Sequence, residues 1–447
     1  MNKKAYLLTI VLFCAAIAVI VFKYNSKQKK EENAVYTLLP RKGAATPTAE
    51  WKEVDKKVNA LIATLATNPT DTKSALQLAA LYIQEARETG NYMYYDKAAM
   101  KYVNVVLNTN PSDFNALVFK SLVYLSQHHF QDGLDIAKQA QQINPYNGYV
   151  YGLLVDGNVE MGHYDSAVLY ADKMVSVRPD LTSYSRISYM REIYGNYTTA
   201  IEAMKMAVEA GGRGDEHTEW TRAQLAHLYE KIGDYKNAEN LYNMSLALRP
   251  DYPYALAGLG NVAKAAKDYP KAIALYEKAD SLTMDNSMKE DLVDVYRLTG
   301  DNAKADKTLQ ILIKELAEGA NQADADMTIG HYADRELAYA YLKANDKDKA
   351  LEHALLEYNR RPSNIDVNET LAWVYYERGD YAKAAEHIKT ALKTNSKNPT
   401  LLSRAGMIYY KAGDKQMAKL MIGQANGTTS YIDPSLQAAT MSAMKNL

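Results

Sequence analysis

Gly233-Asp234-Tyr235, followed by Ala238, Tyr242 and Pro250, is the stretch that decides the fold. The same company returns at Gly379-Asp380-Tyr381 with Ala384, Ile388 and Ala391. Looser copies stand at Gly162-His163-Tyr164, Gly195-Asn196-Tyr197, Lys267-Asp268-Tyr269, Gly300-Asp301-Asn302 and Gly413-Asp414-Lys415. Asn-Pro or Arg-Pro pairs add a second beat at Pro111, Pro145, Pro179 and Pro250, the first three 34 residues apart. A period of about 34 with this punctuation predicts helix-turn-helix units. The glycine ends the first helix through the left-handed conformation. The proline cannot continue the second. Small residues let the two helices approach, and large apolar residues at helical spacing fill the layer between them. A unit alone leaves apolar faces open, so neighbours must cover them, and about ten units form one cooperative array.

Composition agrees with such an array. Of 447 residues, 47% are hydrophobic, and the net charge of −1 gives no general attraction to nucleic acid or anionic lipid. The aromatic set is skewed, with 36 Tyr against 5 Phe. Tyrosine buries its ring while keeping a polar tip, which suits thin two-layer stacks and peptide-binding surfaces alike. Cys14 is the single cysteine, so neither an intrachain disulfide nor a cysteine zinc site can form.

Ala5 to Phe22 is an uncharged apolar run, preceded by Lys3 and Lys4 and followed by Lys23, Lys27, Lys29 and Lys30. A cleaved signal would leave a mature chain beginning Val19-Ile20-Val21-Phe22, and a lipoprotein reading of Cys14 is opposed by the bulky Phe13 before it. About 18–20 apolar residues span a bilayer, so residues 1–30 are expected to be a signal-anchor or transmembrane segment, with membrane contact through residues 5–22. The basic C-terminal flank favours a cytoplasmic array. The short Lys-Lys start resembles an export signal-anchor, and on that ground the array is expected outside the cytoplasm. Residues 31–71 read as a flexible tether, carrying Pro40, Gly43 and Pro47, and a lead-in helix. Residues 72–430 read as the array, and residues 431–447, with Asp433-Pro434 as a helix start, read as a capping helix. The first unit, from Leu78-Ala79 to Pro111, is expected to hold its extra residues at its turn. The inserts Gly211 to Asp215 and Glu318 to Thr328 are expected to be loops or kinks.

The pattern resembles the tetratricopeptide repeat. The best matches are Leu225-Ala226, Tyr229, Gly233, Tyr235, Ala238, Tyr242 and Pro250; Leu371-Ala372, Tyr375, Gly379, Tyr381, Ala384 and Ala391; and Leu259-Gly260, Tyr269, Ala272, Tyr276 and Ala279. The resemblance covers roughly residues 72 to 430. It implies an all-α, right-handed α-solenoid whose first helices line a concave groove through positions two, five, nine and twelve of each unit. Those positions give Tyr149, Tyr189, Trp220, His227, Tyr254, Asn261, Lys264, Arg297, Tyr332, Arg335, Tyr339, Trp373, Tyr376 and Tyr410 as groove residues. Aromatics and arginine dominate binding energies, although some of these side chains must pack against the next helix. Chaperone-binding members hold a terminal carboxylate with Lys at position five and Asn at position nine. This chain has Asn261 but Ala257, so that clamp does not assemble.

Catalytic patterns are weak by comparison. Gly258-Leu259-Gly260-Asn261-Val262-Ala263 spells a dinucleotide fingerprint, but it falls inside a helix without the preceding strand. Arg213-Gly214-Asp215 is explained by loop composition. The eight histidines form no His-Glu-x-x-His pair, and no nucleophile elbow or metal cluster is legible. The expectation is a non-catalytic scaffold without cofactor, metal or nucleic acid, holding a protein or extended peptide in its aromatic groove near a membrane. Two rivals are a structural subunit of a membrane complex using the convex face or termini, and an exported solute- or glycan-binding protein.

Overall fold

The computed structural model describes residues 10, 12–19, 21–22, 34–43, 48–325 and 330–447. Much of the expected anchor lies outside the described residues; among those described, no helix is long and apolar enough to cross a membrane. All regular structure in the described residues is helical. A lead-in helix, Ala49–Thr67, precedes ten helix pairs. These are Thr72–Thr89 with Tyr92–Thr109, Phe114–Ser126 with Phe130–Ile143, Gly148–Glu160 with Tyr164–Val177, Leu181–Ile193 with Tyr197–Glu209, and Glu216–Lys231 with Tyr235–Leu248. They continue with Pro253–Ala265 and Tyr269–Asp280, Ser287–Leu298 and Asn302–Ala325, Asp334–Lys343 and Lys347–Arg360, Ile365–Arg378 and Tyr381–Ala391, and Pro399–Ala412 and Lys415–Asn426. We call these repeats 1 to 10, each with a helix A and a helix B. Pro434–Lys445 follows and packs its Ala443 against Met407 and Ile422 of repeat 10.

Within each pair a small residue meets a large one. Ala238, Ala272, Ala384 and Ala418 have no exposed surface. A Cβ built on Gly260 would stand 2.6 Å from the Tyr276 ring. Gly258 and Gly260 are therefore helix-packing residues, each facing a tyrosine of a neighbouring helix. The left-handed glycines at Gly233, Gly379 and Gly413 end their A helices with φ of 76°, 84° and 87°.

Three local expectations are corrected. The extra residues of repeat 1 lengthen both of its helices to 18 residues and leave a short turn at Gly90-Asn91. The insert after Glu318 is mostly additional helix, because helix B of repeat 7 runs 24 residues to Ala325. The stretch read as a flexible tether is, over residues 34–43, an extended strap. Tyr36 and Leu38 are buried on repeat 1, Tyr94 Oη donates to the Thr37 carbonyl at 2.8 Å, and the Leu39 amide donates to Tyr95 Oη at 3.0 Å. An apolar Tyr/Leu alternation on a cluster of repeat-1 tyrosines outweighs the loosening tendency of the proline and glycine. Lys42 then carries the strap across to the Asp280 and Thr283 carbonyls of the repeat 6–7 junction.

That crossing belongs to a larger pattern. Five consecutive A–B turns, those of repeats 1 to 5, seat five consecutive inter-unit loops found 194 to 205 residues later in the bonded cases. The Met284 amide donates to the Thr89 carbonyl at 2.9 Å, and the Tyr332 amide to the Gln127 carbonyl at 3.1 Å. The Ile365 amide donates to Tyr164 Oη at 2.9 Å and the Tyr431 amide to Tyr235 Oη at 2.6 Å. At repeat 4 the Asn395–Lys397 loop lies against Gly195, where an added Cβ would come within 2.7 Å of Lys397. About six units of 34 residues therefore complete one superhelical turn, and the second turn rests directly on the first. The tyrosine excess has its explanation here: rings fill the layers while hydroxyls bind backbone of the strap, the next loop or a neighbouring helix.

Candidate functional site

The A helices face the superhelix axis, and stacking of the two turns converts their concave faces into a lumen. Its first-turn part is a cavity of about 1100 Å³ walled by residues from repeats 1 to 6, among them Tyr92, Phe119, Tyr149, Tyr189, Trp220 and Tyr254. Its second-turn part is a cavity of about 590 Å³ with Arg335, Tyr339, Asp366, Glu369 and Arg404 in its wall. Tyr189 and Glu192 line both.

Six of the fourteen expected groove residues line this lumen: Tyr149, Tyr189, Trp220, Tyr254, Arg335 and Tyr339. Tyr149 and Tyr189 are 37% and 39% exposed and present free ring surface. Trp220 carries the Arg87 guanidinium 5.9 Å above its ring, and Arg87 pairs with Glu216 at 3.3 Å. Tyr254 Oη donates to Asp285 at 3.3 Å. Trp373 stands beside the second cavity, stacked on Tyr376 at 4.6 Å, with Arg404 of the cavity wall 5.2 Å above it and 5.1 Å from the Tyr339 ring.

The others serve the frame. Tyr376 and Tyr410 pack with the terminal helix, Pro434–Lys445. Tyr332 belongs to the seam, stacked on His129 at 4.2 Å and covered by Arg360 at 4.2 Å. Asn261 accepts from Tyr276 Oη at 2.6 Å, and Lys264 pairs with Asp291 at 2.7 Å, which holds its ammonium above the ordinary range despite burial. His227 lies 3.3 Å from Glu230, and Arg297 pairs with Asp306 at 3.0 Å. Tyr332 falls in the loop before helix A of repeat 8; the other positions lie on A helices, but neighbouring helices reach several of them first.

Electrostatics inside the lumen are dominated by partly buried ion pairs. Arg249 pairs with Glu88 at 2.7 Å, and Arg186 with Asp156 at 2.6 Å. Burial pushes the Glu88 carboxyl up to about 7 even though Arg249 and Arg41 oppose the shift. Asp96, buried beneath the same cavity, is likewise pushed up to about 7 by burial, against a 2.6 Å hydrogen bond from Ser126 Oγ. His217 is pushed down to about 4 by burial and by the nearby Arg87 and Arg186. Among the described residues no group of three or more His, Cys, Asp or Glu side chains is arranged to hold a metal ion.

Sequence reasoning missed Arg186, Asp366 and Glu369, which a further rule would have found. Helical neighbours three or four apart share a face, as Arg186 does with Tyr189 and Glu369 with Trp373, and Asp366 stands three before Glu369. Arg87, Tyr92 and Arg249 carry no such signal. They sit at helix ends and reach the lumen because the superhelix closes.

Comparison with known proteins follows the same lines. A family model described as "Tetratricopeptide repeat" matches residues 224–287 and 369–418, which fall on repeats 5–6 and 9–10. The chain is 30% identical over 154 residues to human Superkiller complex protein 3, covering 32% of this chain and 10% of that protein. It is 34% identical over 62 residues to the uncharacterized protein ycf37 of Pyropia yezoensis, covering 14% of this chain and 35% of that one. The chain thus spans only a small part of the first relative and about a third of the second. Among solved structures, a thermophilic repeat protein of Thermus thermophilus aligns at 20% identity with a TM-score of 0.38, over 44% of this chain and 99% of that one. The human IFIT1 dimer with m7Gppp-AAAA aligns at 14% identity with a TM-score of 0.48, over 77% of each chain. The family match lies on repeats 5–6 and 9–10, and the other repeats share their helix-pair architecture, so the described residues form an all-α solenoid similar to tetratricopeptide-repeat arrays.

Proposed function

We propose that this chain is a non-catalytic scaffold that holds an extended segment of another protein in its axial lumen. Tetratricopeptide arrays are suited to protein–protein interaction, and the reading rests on one observation in particular. Tyr149, Tyr189, Trp220 and Tyr254, taken from four different repeats, converge on one cavity of about 1100 Å³. Large aromatic surfaces in a concave, partly desolvated site are the usual anchors of polypeptide recognition. The apolar run at residues 5–22 would keep the array at a membrane, with the array outside the cytoplasm; this part rests on the sequence. No cofactor, metal or nucleic acid enters the reading.

The test is crosslinking in the native cell with the full chain, followed by identification of what co-purifies, for wild type and for Tyr149→Ala/Tyr189→Ala. Both rings are more than a third exposed, so the thermal melt should stay within a few degrees of wild type. A protein partner retained by wild type and lost by the variant supports the lumen as the binding site. A partner retained by both moves recognition to the convex face or the ends, and the structural-subunit reading replaces this one.

A further inference from the structure

The lumen differs in charge from the chain that builds it. The whole chain is nearly balanced, with 52 Lys and Arg against 53 Asp and Glu. The first-turn cavity has seven carboxylates in its wall against three arginines, and the second-turn cavity six against four cations. Burial pushes both the Asp96 and Glu88 carboxyls up to about 7, and Arg41 lies just behind Glu88 at 3.8 Å; these reduce the first imbalance without cancelling it.

Pairing shows where the excess sits. Nearly every lumen cation already lies on a carboxylate: Arg87 on Glu216, Arg186 on Asp156, Lys231 on Glu192 and Arg404 on Glu369. Lys343 is shared by two, Glu290 at 3.2 Å and Asp294 at 2.7 Å. Arg335 forms no ion pair within 4 Å; it lies in the combined field of Asp366, Glu336 and Glu369. Glu336 keeps a buried Oε2 without a hydrogen-bond partner, as Arg335 and Arg404 of the same wall keep their Nε, so it is the charge surplus that favours a basic ligand. A carboxylate oxygen buried at a cavity wall and left unsatisfied is costly unless a donor arrives. The surplus is negative and incompletely satisfied, and it is interleaved with aromatic faces that attract cations.

Resting on the reading above that the lumen holds an extended segment, we infer that the segment is basic: Lys- or Arg-bearing, with its cations placed toward Glu336 and Asp366 in the second turn. An acidic tail or a phosphate backbone would meet an excess of like charge. An uncharged segment would offer Glu336 a hydrogen bond but no opposing charge.

The experiment uses purified full-length protein and three fluorescent peptides of equal length and equal aromatic content, differing only in Lys/Arg, Gln or Glu at alternate positions. Binding is read by anisotropy at low and at physiological salt. The basic peptide should bind about 10-fold or more tighter than the Gln peptide at low salt, with the advantage shrinking as salt screens it. The Glu peptide should bind more weakly than either. Glu336→Gln/Asp366→Asn removes two charges whose side chains make no hydrogen bond or ion pair among the described residues; because both lie in the field of Arg335, the melt of the variant is recorded beside its binding. That variant should lose about 3- to 10-fold for the basic peptide and little for the Gln peptide, in line with charged pairs worth about 1 kcal/mol or more in a partly desolvated site. Equal binding of all three peptides, or a basic preference that the double variant and salt leave intact, overturns the inference while leaving the peptide-binding reading standing. Absence of binding by any of the three, with the protein folded, counts against that underlying reading and removes the inference with it.

Discussion

The same turn is built twice in this molecule, once to be covered and once to face solvent. The covered set, in repeats 1 to 5, reads Gly90-Asn91-Tyr92, His128-His129-Phe130, Gly162-His163-Tyr164, Gly195-Asn196-Tyr197 and Gly233-Asp234-Tyr235. The open set, in repeats 6 to 10, reads Lys267-Asp268-Tyr269, Gly300-Asp301-Asn302, Asn345-Asp346-Lys347, Gly379-Asp380-Tyr381 and Gly413-Asp414-Lys415. In the open set the middle residue is aspartate each time, and all five accept the backbone amide three residues on, as Asp380 does from Lys383 at 3.2 Å. In the covered set it is neutral in four of five, and His129, His163 and Asn196 make no side-chain cap bond. An N-cap is worth about 1 kcal/mol. Repeats 2 to 4 forgo it and gain instead a buried surface with an aromatic third residue, against which the second turn docks. Repeat 5 combines the two, since Asp234 caps its helix while Tyr235 still seats the Tyr431 amide.

The sharpest way to break that comparison is through arginine. Arg361, 6% exposed, pairs with Glu160 across the seam and with Glu357 on its own helix, and covers the Phe130 ring at 4.4 Å. Arg378 on the open side pairs with the fully exposed Asp348. Arg361→Ala should cost about 2–3 kcal/mol, because it removes the partner of Glu160 and the cover of the Phe130 ring, while Glu357 keeps Arg360. Arg378→Ala should cost about 1 kcal/mol or less. Chemical denaturation of the two variants checks this; equal costs would mean that the seam carries no load.

Glycine gives a contrast of similar size. Gly162 and Gly379 both have positive φ, 78° and 84°. A Cβ on Gly162 would overlap the Ser363 carbonyl, whereas one on Gly379 meets nothing within 4 Å. Gly379→Ala should cost only the left-handed strain, about 1–2 kcal/mol. Gly162→Ala should add about 1–3 kcal/mol of overpacking and loosen the seam. Hydrogen exchange across residues 159–165 and 361–365 should speed up in Gly162→Ala and stay unchanged in Gly379→Ala.

The smallest effect sharpens the comparison by pH. At the repeat 2 turn, the His128 and His331 rings lie 4.0 Å apart and tilted, His128 Nδ1 lies 2.8 Å from the Tyr332 carbonyl and His129 Nε2 lies 2.9 Å from the Gly330 carbonyl. Burial pushes His128 down to about 4, His331 to about 3, and lowers His129; Arg335, Arg360 and Arg361 oppose protonation, while Asp132 and Glu336 favour it. These imidazoles are neutral when the seam is closed and protonate more readily when it opens. Their contribution to closure is therefore complete above the free-histidine value of about 6.5 and is lost as pH falls toward about 4. Glu160 acts in the opposite sense on the same seam, since burial pushes its carboxyl up to about 7 and protonation favours the closed form. The readout must therefore be local. Protection factors at residues 127–132 should fall between pH 7 and pH 5, while those at the solvent-facing turn of residues 379–381 stay constant. A uniform change at both places would remove the histidines from the account.

Much of the fold was legible because it is written locally. Gly233-Asp234-Tyr235 with Ala238 and Tyr242 specifies a helix end, a turn and a close helix pair without reference to anything distant. The same holds in every unit, so the all-α class and the succession of pairs follow from spacing and residue size alone. The strap at residues 34–43 was less legible, since Pro40 and Gly43 suggest looseness and only the tyrosines of repeat 1 reveal what Tyr36 and Leu38 are for. Of the candidate site, helix A positions were readable, and six of them reach the lumen. Which of the fourteen would be intercepted by a neighbour, as Lys264 is by Asp291, depends on the rotation of each unit against the next. Those small rotations add up over about six repeats, and only their sum brings Tyr164 to the Ile365 amide and closes a groove into a lumen. Local sterics fixed each turn; the accumulated twist, which no single repeat encodes, decided that the first five would be buried and the last five left in water.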